Sequence, residues 1–192
     1  AATSVPGPLL PPVGTPLQRA IYVGFPANLQ GTVDVNTSTD FHDSKILIAH
    51  HLETNVRLLD RLLRRDGYGS VMSTRNPYEV ARLHAEHRYD LILLDLMMPG
   101  MDGFAVMAEL QALPEGHDVP VLAITVQPDQ MLRALRAGAK DFVSMPFDLV
   151  EMLTRVHNML EVRLLYKKLE NYNAKFKKIN LISMISLLKF NK

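Results

Sequence analysis

Four short segments of the chain end in residues whose chemistry could be put to use. Lys45-Ile46-Leu47-Ile48-Ala49 runs into His50-His51, and Leu91–Leu94 ends in Asp95. Val121–Ile124 ends in Thr125, and Asp141–Ser144 runs into Met145-Pro146. A carboxylate that closes so apolar a run is costly to bury without a partner or a task, so Asp95 is the leading candidate. The competing reading is that Asp95 only caps the loop or helix that follows. Neighbouring imidazoles could pair with that carboxylate, hold a borderline metal, or titrate near neutrality.

The elements that must position these residues alternate. Continuous apolar runs of four to six residues read as strands buried on both faces. The first is followed by a helix with Leu52, Val56, Leu59 and Leu63 on one stripe, stopped at Gly67. Ser70–Thr74 is a weaker strand. Asn76-Pro77-Tyr78-Glu79 combines an N-cap residue, a first-turn proline and a third-position acid, which starts a second helix. Asp90–Asp95 is the most apolar strand. The turn cluster Pro99–Gly103 leads into a helix to about Gln111, Val119–Ile124 is the fourth strand, and the helix from about Asp129 to Ala137 stops at Gly138. Asp141–Ser144 is the fifth strand, and Asp148 caps a last helix. Five strand–helix units in about 125 residues imply parallel strands with right-handed helical crossovers. An eight-fold barrel would need roughly 250 residues, so an open, doubly wound sheet is expected, with its site beyond the carboxyl ends of the strands.

Composition adds exclusions. Of 192 residues 47% are hydrophobic and 21% charged, with a net charge of +1, which gives no global argument for nucleic acid or a membrane surface. The absence of Cys excludes disulfides and thiolate metal sites and fits a cytoplasmic setting. No apolar run reaches the roughly 18 residues of a membrane span. Residues 1–43 hold six of the twelve prolines and read as an irregular arm, with Ala20–Phe25 as one stretch able to add a strand.

Three motifs carry a family resemblance. Asp90–Gly103 (DLILLDLMMPGMDG) resembles the phosphoacceptor strand and loop of response-regulator receivers. Pro120–Thr125 is similar to their fourth strand with its switch Thr/Ser, and Arg136–Phe142 followed by Pro146-Phe147 to their fifth. The resemblance implies a flavodoxin-like five-stranded sheet of order 2-1-3-4-5, two-component signalling and a histidine kinase or other signalling protein as partner. It places the phosphoacceptor at Asp95, the phosphoryl contact at Thr125, the aromatic switch at Phe142, a metal-binding backbone carbonyl at Met97 and a cis peptide before Pro146.

Two departures matter. The family's acidic metal-binding pair is replaced by His50-His51, and its lysine by Met145. Mg²⁺ is a hard ion that takes oxygen ligands, so its binding is expected to be weak or absent. Phosphoryl transfer needs cations near the transferring group, so the chemistry should be slowed by orders of magnitude. The expectation is a non-enzymatic, regulatory protein-interaction module with impaired or absent phosphorylation. The alternatives are a working phosphoacceptor at Asp95, or a metal or pH sensor built on His50, His51 and Asp95. For the histidines themselves, pairing with Asp95 in a metal-free pocket leads over a softer metal, a pH-responsive cation and an idle exposed pair. His84, His87, His117 and His157 are expected at the surface.

Past the domain, taken as residues 44–160, Val162, Leu165, Leu169, Tyr172, Phe176 and Ile179 recur at spacings of 3, 4, 3, 4 and 3. That heptad stripe predicts a signalling helix over 161–180 that pairs in a homodimer. Residues 181–192 read as a tail. No DNA-reading helix-turn-helix and no cyclase or phosphodiesterase motif is recognised.

Overall fold

The computed structural model of the chain describes residues 41–114, 119–127 and 129–190, with side chains through 178. Five strands form one parallel sheet of order β2-β1-β3-β4-β5, as expected: β1 Ile46–Ala49, β2 Val71–Thr74, β3 Leu91–Asp95, β4 Val121–Thr125 and β5 Asp141–Ser144. The helices are α1 Glu53–Arg65, α2 Val80–His87, α3 Gly103–Ala112, α4 Gln130–Arg136 and α5 Leu149–Phe190.

Strand periodicity divides the core in two. Leu47, Ala49, Ile92, Leu94, Val121 and Ala123 face Val80, Val106, Met107, Leu110 and Ala134 of α2, α3 and α4. Ile46, Ile48, Leu91, Leu93, Leu122 and Ile124 face Val56, Leu59 and Leu63 of α1 and Met152, Val156 and Leu160 of α5. The central strands β1, β3 and β4 are buried at every position, which is why they read as unbroken apolar runs.

Punctuation in the sequence is used as expected. Gly67 and Gly138, after α1 and α4, carry φ of +105° and +106°, where a side chain would be strained. Asp102 accepts from the Ala105 amide (2.8 Å), and Asp148 from those of Val150 (2.8 Å) and Glu151 (3.0 Å). Asn76 accepts from the Tyr78 amide, but Pro77–Glu79 forms a 3₁₀ turn before α2. Glu79 accepts from the Thr74 hydroxyl instead of closing a capping box.

Four expectations are corrected. Leu52 is 47% exposed and precedes α1, so it leaves the buried stripe. His84 is buried and stacked on Tyr89, because α2 lays that position onto the start of β3. The arm does not stay irregular to residue 43: Phe41–Asp43 forms a 3₁₀ turn, Phe41 packs 4.8 Å from the His157 ring, and His42 packs on Tyr68 and accepts from the Gly69 amide. The C-terminal helix does not end near 180 but continues to Phe190. The proposed strand at 20–25 and His117 lie outside the described residues.

Among the described residues no helix is long and apolar enough to cross a membrane.

Candidate functional site at the ends of strands β1, β3 and β4

Register brings the polar strand ends together. Ala49 pairs with Leu94, so His50 stands level with Asp95. Asp95 pairs with Ile124, which puts Thr125 one step further along the neighbouring strand, and Thr125 pairs with Ser144, just before Met145. His50, His51, Asp95, Met97, Thr125 and Met145 line one small cavity of about 60 Å³.

Asp95 is the hub. Its side chain is only 5% exposed, and both oxygens are engaged. Oδ1 accepts from the Met97 amide at 2.9 Å. Oδ2 accepts from the His51 ring Nδ1 in a short hydrogen bond and from the His51 amide at 3.4 Å. His50 Nδ1 lies 3.2 Å from the same oxygen. Among the described residues, these two histidines, and no Lys or Arg, lie within ion-pair distance of Asp95.

The two imidazoles differ. His50 is buried, with Nδ1 accepting from the Leu52 amide at 3.2 Å and Nε2 3.0 Å from the Asn55 side-chain amide. Burial lowers its pKa; the Asp95 charge opposes this and His51 adds to it. His51 is 29% exposed and stacks on His50 with ring centroids 5.2 Å apart. Arg75 donates to the His51 carbonyl at 3.3 Å and reaches Glu53 at 3.4 Å.

The remaining predicted residues divide. The Thr125 hydroxyl accepts from the Gln127 amide at 3.0 Å, which fixes the β4–α4 loop. Met145 supplies a thioether to the cavity wall where the resemblance expects an ammonium. Met97 presents its sulfur to Gln130 Nε2 at 3.7 Å. Phe142 is half-buried against the α2–α3 core with the Arg155 guanidinium 5.9 Å from its ring, and does not line the cavity. The Met145–Pro146 peptide is cis. Val162, Leu165, Leu169, Tyr172 and Phe176 are all exposed on α5.

Asn55 and Asp90 were missed by sequence reasoning. Asn55 follows His50 by five positions, in the first turn of the helix that leaves the strand, and that placement was the available signal. Asp90, buried at the opposite end of β3, accepts from the Lys45 amide at 3.0 Å and pairs with Lys167 of α5. A larger cleft of about 480 Å³ lies at that same end, between α5 and the starts of β4 and β5.

Close packing ties the site to α3. A Cβ at Gly103 would stand 2.8 Å from the Asp95 carbonyl oxygen and 2.8 Å from Leu96 Cα, both backbone atoms unable to swing away. Gly103→Ala is therefore expected to destabilise the domain by about 1–3 kcal/mol, read from the urea midpoint. An unchanged midpoint would show that the helix can shift off the strand freely.

The donor set does not suit Mg²⁺. Two of the three groups that could converge on an ion are ring nitrogens, where a hard ion takes oxygen.

Comparison with known proteins agrees with the fold. The profile of the response regulator receiver domain matches residues 46–157. The response regulator PleD of Caulobacter vibrioides is 33% identical over 142 residues, 73% of this chain and 31% of that protein. The chain thus spans about a third of that relative's length. The cyclic di-GMP phosphodiesterase response regulator RpfG of Xanthomonas campestris is 42% identical over 78 residues, 40% of this chain and 21% of its own. A putative response regulator from Chloroflexus aurantiacus superposes with a TM-score of 0.59 at 26% identity, covering 62% of this chain and 98% of that one. The receiver domain of sensor histidine kinase PA1611 from Pseudomonas aeruginosa, with a magnesium ion coordinated in its active-site cleft, gives 0.58 at 28% identity over 62% and 98%. Sheet order, the Asp95 strand end and these matches together place the chain in the response-regulator receiver family of two-component signalling.

Proposed function

We propose that this receiver acts as a regulatory protein-interaction module in which Asp95 is a structural anchor and is phosphorylated slowly or not at all. The observation that carries this reading is the occupation of both Asp95 oxygens by hydrogen-bond donors, with imidazoles where carboxylates would hold Mg²⁺ and a thioether where a lysine would meet the phosphoryl group. A nucleophile so engaged must first lose its partners, and among the described residues no Lys or Arg pairs with Asp95 to meet the transferring phosphoryl group. The module has no catalysis of its own and works in the cytoplasm, with a histidine kinase or another signalling protein as partner. The test is intact mass after incubation with a small phosphodonor and Mg²⁺, beside an Asp95→Asn control. No adduct on folded parent protein is expected; an adduct present on the parent and absent from the control would overturn the reading and restore Asp95 as a working phosphoacceptor.

The second part of the reading concerns α5. Its buried face ends with Leu160, yet Val162, Leu165, Leu169, Tyr172 and Phe176 continue an apolar stripe that is more than half exposed at every position. A stripe at heptad spacing supports pairing with a second copy. Leu165→Glu/Leu169→Glu is expected to convert a two-chain species to a single chain in sedimentation equilibrium at micromolar protein. A parent that sediments as one chain over that range would refute the dimer.

A further inference from the structure

We infer that His50, His51 and Asp95 form a binding site for a borderline divalent transition metal such as Zn²⁺, in place of the hard-metal site their positions would otherwise supply. The inference rests on the reading that Asp95 is not committed to phosphoryl chemistry. Three donor atoms, one from each residue, lie within 4.8 Å of one another, and the three residues line the cavity. Zinc takes nitrogen and oxygen donors at about 2.0–2.2 Å, so neighbouring ligands in a tetrahedral site stand roughly 3.3 Å apart. His50 Nδ1 and Asp95 Oδ2 are already 3.2 Å apart. His51 must draw back from its direct hydrogen bond with Asp95 to a bridging position, and its partly exposed ring can do so from the solvent side. Its ring proton then resides on Nε2, and Nδ1 presents the lone pair. The His50 Nδ1 lone pair exchanges a long bond from the Leu52 amide for the metal.

The surroundings match what such a site needs. A ligating histidine is oriented by a hydrogen bond from its other ring nitrogen; the Asn55 side-chain nitrogen stands 3.0 Å from His50 Nε2, and turning that amide over would bring its oxygen there to accept the ring proton. The Met145 and Met97 thioethers give the walls a soft, apolar character, which disfavours Mg²⁺ and tolerates Zn²⁺ or Cu²⁺. The cavity of about 60 Å³ leaves room for water in the fourth position.

The test uses the full chain without an affinity tag. Zn²⁺ is titrated in competition with a chromophoric chelator, with Mg²⁺ as a separate arm and Co²⁺ as a visible-band probe of coordination. One Zn²⁺ per chain is expected, with a raised Tm and no response to Mg²⁺. His51→Ala is expected to weaken binding by more than about 100-fold and Asn55→Leu by about 10-fold, while His157→Ala, on the exposed face of α5, leaves it unchanged. His51→Ala removes a partly exposed ring, and circular dichroism checks its fold. Zn²⁺ affinity that is equal in parent and His51→Ala, or no stronger than that for Mg²⁺, would overturn the site. That failure is separate from an adduct in the metal-free phosphodonor experiment, which would instead overturn the anchoring role of Asp95.

Discussion

Replacing His50 and His51 with Asp and Met145 with Lys should raise the rate of phosphoryl adduct formation on Asp95 by about 10⁴-fold or more. The estimate multiplies two losses, the metal pair and the lysine, each taken at the roughly 10²–10³ that one preorganised electrostatic donor contributes. Geometry supports the reversal. His50 is level with Asp95 in the register of β1 and β3, so a carboxylate there faces the same point. Met145 lines the same cavity, so a lysine at that position has its ammonium within reach of the Asp95 oxygens. Removing the His51 ring frees Asp95 Oδ2 from its short hydrogen bond. The readout is a time course of intact mass with a small phosphodonor, with Mg²⁺ and with a chelator. Adduct should need Mg²⁺ and vanish when Asp95→Asn is added to the triple variant. Three carboxylates then crowd one pocket, so the variant should also melt lower than the parent in chelator and recover with Mg²⁺. Equal rates for parent and variant would mean that the imidazoles and Met145 do not limit the chemistry.

How much of this was legible in the sequence follows from the range of the interactions. Ile46–Ala49, Leu91–Leu94 and Val121–Ile124 announced themselves because central parallel strands are covered on both faces and leave no polar position. β2, at the sheet edge, exposes Met72 and Ser73 and was correspondingly faint. Gly67, Gly138, Asp102 and Asp148 act on their own neighbours, so local chemistry sufficed to place helix ends. The candidate site was half-legible. That His50, Asp95 and Thr125 meet follows from topology, and an imidazole paired with Asp95 was the leading expectation, but which histidine closes the carboxylate and that Asn55 stands at His50 depend on side-chain directions at a helix start. His84 shows the same limit: its burial is decided by how α2 rests on Tyr89, which no local pattern encodes.

The least legible feature is an ion pair at the other end of β3. Asp90 and Lys167 are 77 residues apart, and their ion pair fastens the extension of α5 to the base of the sheet. Asp90 is buried, and without Lys167 its carboxylate would keep one backbone donor, the Lys45 amide. Breaking a fully buried pair from one side costs about 3–5 kcal/mol; the Lys167 side chain is 38% exposed, so Lys167→Met is expected to cost less, about 2 kcal/mol. Asp90→Asn should cost less again, because the freed ammonium returns to water while the amide oxygen keeps the Lys45 bond. A double-mutant cycle by denaturant unfolding should give a coupling of about 1–2 kcal/mol. Hydrogen exchange should show the same thing locally, with protection lost over 161–170 in Lys167→Met and retained at Met152 and Val156, which are held by the core. A coupling near zero would mean that the extension is not fastened there. The pair stands at one end of β3 and Asp95 at the other, so a single short strand lies between the site and the helix that carries the exposed apolar stripe.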